Sequence, residues 1–138
     1  MPVVLGPGID PAESLRRAKI SRAFLALHGR HGEDGCMQGL CELMGVAYTG
    51  SSVLASALAM DKLKSKELFR LHNVPTPPYY AVYETDALAD LEELHGSFGF
   101  PVVVKPRGEG SSLGLSKATG MAELDRAVRA ALALDRTA

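Results

Sequence analysis

Lys105 follows the apolar run Phe100-Pro101-Val102-Val103-Val104 and leads into Gly108-Glu109-Gly110-Ser111-Ser112-Leu113-Gly114, a pattern that suits phosphate binding. The β-branched valines favour a buried strand, so the lysine emerges at the strand's end as a point charge. Gly108, Gly110 and Gly114 let the backbone turn and approach a ligand closely, aiming several N–H groups at one anion. The Ser111 and Ser112 hydroxyls add donors. The spacing is not that of a Walker A loop. The same residues also suit a plain hairpin, with glycine and serine as turn chemistry between a strand over 100–104 and a second near 113–116.

A second polar cluster is His28-Gly29-Arg30-His31-Gly32-Glu33-Asp34-Gly35, more chemistry than a helix cap requires. Asp34 reads as a partner for free helix N–H groups, an effect of about 0.3–1 kcal/mol. His28 reads as a site residue. Cys36 and Cys41, five apart in a helical pattern, form neither a zinc-ligand set nor a disulfide framework and read as reduced core thiols. Asp61, Lys62, Lys64, Ser65 and Lys66 interrupt an apolar pattern, as a solvated helix face does.

The elements that must hold these groups follow from periodicity and breakers. Val3 to Leu5 read as a short strand and 12–19 as a short polar helix. Residues 23–27 read as a buried strand running into the histidine loop. Met37, Leu40, Cys41 and Met44 recur at helical spacing, Gly45 suits an αL cap, and 46–48 return as a strand. That succession fits a parallel βαβ crossover, with the 28–35 loop at the ligand-binding edge of a sheet. Ser51 or Ser52 can cap a helix whose Val53, Leu54, Ala57, Leu58 and Met60 supply a packing face, and which resumes with Leu68, Phe69 and Leu71. Pro75, Pro77 and Pro78 form a stiff connector into a strand over 79–83. Thr85 or Asp86 can cap a helix carrying Leu88, Leu91 and Leu94. After the 100–104 strand, a last helix with Met121, Leu124, Val128 and Leu132 on its buried side runs almost to Ala138.

Composition narrows the function classes. A chain of 138 residues with 46% hydrophobic and 22% charged residues is globular, and its net charge of −1 argues against a nucleic-acid partner. It has no signal-peptide pattern and no apolar run approaching the roughly 18 residues that span a membrane, so no membrane partner and a cytoplasmic location are expected.

Three segments together resemble the bacterial D-alanine–D-alanine ligase family of the ATP-grasp superfamily. They are Ala26-Leu27-His28-Gly29-Arg30-His31-Gly32-Glu33-Asp34-Gly35 with Gln38-Gly39; Tyr48-Thr49-Gly50-Ser51 through Ala55 to Met60 and Asp61-Lys62 to Ser65-Lys66; and Val104-Lys105-Pro106 with Glu109-Gly110-Ser111-Ser112-Leu113-Gly114. The resemblance implies an α/β fold: an incomplete N-terminal parallel α/β (pre-ATP-grasp) domain over 1–50, then part of the central α+β ATP-grasp domain over 51–138. It implies ATP-dependent formation of D-alanyl-D-alanine through an acyl phosphate, for peptidoglycan synthesis. Lys62 and Lys105 match the family's phosphate-contacting lysines, and Gly110, Ser111 and Ser112 belong to the flap over the nucleotide. Ser111 also matches the hydrogen-bond network of the active-site lid. His28 matches the histidine near the first D-alanine and the acyl phosphate, and Glu33 is assigned a supporting role there. His31 falls at a position that varies among related enzymes and reads as a surface residue or one that backs the residues in contact with substrate.

The resemblance also has gaps. The family's first strand, glutamate-bearing loop and helix have no counterpart, nor do its adenine-contacting segment, catalytic arginine and magnesium ligands. ATP and Mg2+ are therefore expected cofactors with no metal ligand assigned in this chain, which is expected to be inactive alone. A homodimer is the family expectation, through a region only partly represented here. A ligase of the D-alanine–D-lactate type, or a non-catalytic remnant with a binding role, are the alternatives.

Overall fold

The computed structural model describes residues 3, 8–86 and 90–138. Helix α1 (Pro11–Ala18) starts where the Asp10 carboxylate accepts from the N–H groups of Ala12 and Glu13 at 2.8 and 3.2 Å, with Pro11 at the first turn. Strand β1 (Arg22–Ala23), helix α2 (Cys36–Leu43) and strand β2 (Ala47–Tyr48) form the expected crossover: β1 and β2 are parallel, pairing Arg22 with Ala47 and Ala23 with Tyr48. Gly45, at φ 68°, lies one residue beyond the helix cap. Leu15, Met37, Cys41 and Val46 make the core of this unit.

Helices α3 (Val53–Met60) and α4 (Lys62–Leu71) follow, then α5 (Leu91–His95), strand β3 (Val102–Val104), strand β4 (Ser116–Ala118) and α6 (Met121–Leu132). Strands β3 and β4 are antiparallel, with Val102 opposite Ala118 and Val104 opposite Ser116. Helix α6 covers this hairpin with Leu124, Ala127, Val128 and Ala131, and Val82 and Leu91 complete a second core. The architecture is a parallel βαβ unit followed by an α+β unit, which holds Lys105 and its glycine loop between β3 and β4.

Several sequence expectations are corrected. The strand over 23–27 is paired only at Arg22–Ala23, because its neighbour ends at Tyr48 and the Leu25 N–H turns to the Thr49 side chain at 3.3 Å. The strand over 79–83 is reduced to one bridge between Tyr83 and Thr137, and the helix read as running almost to Ala138 stops at Leu132. These two departures have one cause. The tail after α6 returns and exchanges N–H···O bonds between Val82 and Ala138 at 2.9 and 2.8 Å, while Arg107 donates to the Thr137 carbonyl. Those partners compete with a further helical turn.

The helix read as resuming after the charge cluster is two helices. Asp61 ends α3, adopts extended backbone, and caps α4 by accepting from the Lys64 N–H at 3.0 Å. The expected packing face of α3 is largely unfilled: Leu54 is 69% exposed, and the buried residue of that helix is Ser56. Of the two supposed core thiols, Cys41 is buried but Cys36 is exposed, since Cys36 opens α2 on its solvent side. Val4, Leu5 and Leu88, which carried parts of two readings, lie outside the described residues. Leu91 is buried as expected but Leu94 is exposed.

Candidate functional site

A cavity of about 570 Å³ opens where the histidine loop, α3, the start of α4 and the β3–β4 loop converge. Leu25, Leu27, Gly32 and Glu33 line one wall, with Gln38 of α2 behind them. Ser51, Ala55, Ser56 and Met60 line another, and Lys62, Lys105, Glu109, Gly110, Ser111, Ser112 and Leu113 close the third. Six of the seven residues singled out by sequence (Glu33, Lys62, Lys105, Gly110, Ser111 and Ser112) thus meet at one cavity. The seventh, His28, is exposed and is not among the lining residues.

Lys62 enters the cavity because α3 stops two residues earlier, at Met60. Its Nζ donates to the carbonyls of Glu109 and Arg107 at 2.6 and 3.3 Å, so it grips the base of the glycine loop. Burial lowers its pKa, and the like charge of Lys105 lowers it further. Two ammonium groups and a run of backbone N–H donors at one cavity make a site that suits a polyanion, although Glu109, Asp61 and Asp135 partly offset the charge of Lys62. Lys105, at the end of β3, is exposed and adjustable.

The loop that follows Lys105 is pinned at two further points. Arg107 forms a two-pronged ion pair with Asp61, Nε to Oδ1 at 2.8 Å and Nη2 to Oδ2 at 2.6 Å. The Arg107 hydrogen bonds are the largest reason the Asp61 carboxyl is held below its ordinary pKa. Gly108 N–H donates to the Asp135 carboxylate at 2.6 Å. Ser111 and Ser112 then stand side by side in the left-handed region, at φ 51° and 58°. Such conformations cost on the order of 1–2 kcal/mol in a residue with a Cβ.

The two loops meet face to face. A Cβ on Gly110 would lie 3.2 Å from Glu33 Oε2 and 3.4 Å from Gly29 Cα, so a side chain there would press on the Glu33 carboxylate while meeting the Gly29 backbone at ordinary contact distance. Glu33 Oε2 also accepts from the Gly29 N–H at 2.6 Å, which makes this acid a brace of its own loop. Asp34 accepts from the backbone N–H groups of His31 and Cys36 at 2.8 and 3.1 Å, the structural role read from sequence. Burial raises its pKa, but those N–H groups outweigh it and the net shift is downward.

Two elements of the site escaped sequence reasoning. The Asp61–Arg107 pair joins residues in separate motifs, and the only hint was an acid interrupting an apolar helix pattern. Gln38 is 7% exposed; its Nε2 reaches the Gly32 carbonyl at 3.5 Å, while its Oε1 has no partner among the described residues. Its place beside Gly39 in the first motif was visible, its burial was not. The carboxylates lining the cavity are Glu33 and Glu109, and among the described residues they do not gather into a metal-ligand group.

Known proteins resemble this chain in sequence and fold. A family model described as the D-ala D-ala ligase N-terminus matches residues 7–51, and one described as the D-ala D-ala ligase C-terminus matches residues 68–138. The chain is 49% identical over 132 residues to the D-alanine--D-alanine ligase of Cupriavidus pinatubonensis, covering 93% of this chain and 39% of that protein. It is 50% identical over 129 residues to that of Stutzerimonas stutzeri, covering 93% and 40%. Among solved structures, the VanG D-Ala:D-Ser ligase from Enterococcus faecalis superposes with a TM-score of 0.76 at 34% identity, covering 85% of this chain and 34% of that one. The D-alanine-D-alanine ligase from Helicobacter pylori gives 0.76 at 31% identity, covering 83% and 34%. The chain therefore spans about 39% of the length of the curated relative from Cupriavidus pinatubonensis.

Proposed function

Because this chain belongs to the D-alanine–D-alanine ligase family, we propose that it forms the phosphate-binding wall of an enzyme that joins two D-alanines at the expense of ATP. In that reaction ATP phosphorylates the carboxylate of one D-alanine, and the amine of a second displaces phosphate from the acyl phosphate to give the dipeptide used in peptidoglycan. Lys62 and Lys105 hold the nucleotide phosphates, with N–H and hydroxyl donors of Gly110, Ser111 and Ser112 closing over them. The convergence of two lysines and a glycine-serine loop on one cavity carries this reading. Magnesium would neutralise phosphate charge when bound; no residue of this chain is assigned to hold it, and the steps here run through the lysines and the loop.

Glu33 supports the substrate side by bracing the loop that faces Gly110. His28 acts near the carboxylate of the first D-alanine, where a ring N–H stabilises developing charge. In support, its neighbour Leu27 lines the cavity. Ser111 takes part in the lid network. Residues 1–50 and 51–138 serve as parts of the N-terminal and central domains; the separate cores around Cys41 and around Leu124 support a division there. A D-serine or D-lactate second substrate is the competing assignment, which product analysis of the full enzyme resolves.

The test is calorimetric binding of ATP and AMP to the 138-residue protein, with and without Mg2+. ATP should bind at least tenfold tighter than AMP, and Lys62→Met together with Lys105→Met should remove that preference. Equal affinity for the two nucleotides, or no effect of the double substitution, would sink the assignment.

A further inference from the structure

Outside the cavity wall, His31, Asp34 and Cys36 bring an imidazole nitrogen, a carboxylate oxygen and a thiol sulfur within 4.8 Å of one another. None of the three lines the cavity. Their spacing in sequence gives no metal motif. The backbone assembles them, because His31 at φ 66° and Gly35 at φ 95° turn the chain twice within five residues. We propose that these three side chains bind one zinc-type divalent cation, with a fourth position open to water or an external ligand.

The donor set argues for the class of metal. Imidazole with thiolate favours zinc and its neighbours over magnesium or calcium, which take oxygen ligands. Ligand atoms on a tetrahedral zinc ion sit about 3.5 Å apart, given bonds of about 2.0–2.3 Å. The three atoms stand within 4.8 Å of one another, and the exposure of His31 and Cys36 leaves their side chains room to close that distance. The Asp34 carboxylate is already aimed by two backbone N–H groups, the kind of outer anchoring that metal ligands use. On binding, the Cys36 S–H bond breaks, its proton leaves to solvent, and a metal–sulfur bond replaces it. The bound ion would tie the histidine loop to the first turn of α2, stiffening the backbone on both sides of Glu33.

The experiment is titration of tag-free protein with Co2+ and then Zn2+, under a reductant that does not bind metals. One equivalent of Co2+ should produce a near-ultraviolet thiolate-to-cobalt band, and Zn2+ should bleach it while excess Mg2+ does not. His31→Gln and Cys36→Ser should each weaken Zn2+ by about 10- to 100-fold or more, and Cys36→Ser should erase the band. Thermal unfolding supplies a second readout: zinc should raise the midpoint of the parent protein and leave that of Cys36→Ser unchanged. A missing band, or parent-like zinc affinity in either variant, would overturn the site.

Discussion

Arg107 and Asp61, 46 residues apart, are joined by paired hydrogen bonds of 2.8 and 2.6 Å that fasten the base of the glycine loop to the junction of α3 and α4. The same Asp61 caps α4, and the residue after it, Lys62, reaches the loop's carbonyls. One carboxylate therefore sets the helix break, the entry of Lys62 and the anchoring of the loop.

Removing that carboxylate should cost more than a surface pair would. Both side chains are about a quarter exposed, so the loss from Asp61→Asn should be about 1–2 kcal/mol rather than the full value of a buried charged bond. The pH dependence has a definite sign. Arg107 depresses the folded-state pKa of Asp61, so its stabilisation is complete above the ordinary value of 3.8 and disappears as pH falls through the lower folded value. Urea unfolding of parent and Asp61→Asn should show the gap at pH 7 narrowing in strongly acidic buffer. A gap that stays constant down to pH 2 would exclude this linkage.

Lys105→Gln should change sign with ligand. Without an anion, Lys105 and Lys62 repel, and relieving that repulsion should stabilise the protein by roughly a few tenths of a kcal/mol and raise the Lys62 pKa. With ATP present the same substitution removes a phosphate partner, so the ligand-induced rise in unfolding midpoint should shrink. Differential scanning fluorimetry with and without ATP reads both. A variant less stable than the parent in the absence of ligand would contradict the repulsion.

Gly35 and Gly29 both have positive φ but differ in the space around them. A Cβ on Gly35 would lie 2.7 Å from the Val53 carbonyl oxygen, whereas one on Gly29 would meet nothing within 4 Å. Gly29→Ala should therefore cost about 1 kcal/mol of backbone strain. Gly35→Ala should exceed it by at least about 1 kcal/mol, since the opposing atom is backbone and α2 must shift against α3. Comparable losses in chemical denaturation would mean that the close approach of the two helices is not limiting.

Much of this protein was readable from sequence because its signals are local. The βαβ crossover followed from apolar periodicity at Met37, Leu40 and Cys41 and the glycine after Met44, and the later strand and last helix from three valines and from Leu124 and Val128, while the α+β arrangement was what the family resemblance implied. The residues of the cavity were legible as types in motifs: a lysine at a strand end, glycines and serines that turn, an acid in a polar loop. What sequence could not supply is whatever depends on a distant partner. The short strands, the early end of α6 and the bridge at Tyr83 were decided by backbone N–H and C=O groups choosing partners across the fold, where the tail outcompeted regular continuation. The exposure of Cys36 and Leu54, the burial of Gln38, the outward position of His28 and the meeting of Asp61 with Arg107 likewise depend on how the chain closes in three dimensions. Periodicity records which face of an element is apolar; only tertiary packing determines whether another element arrives to cover it.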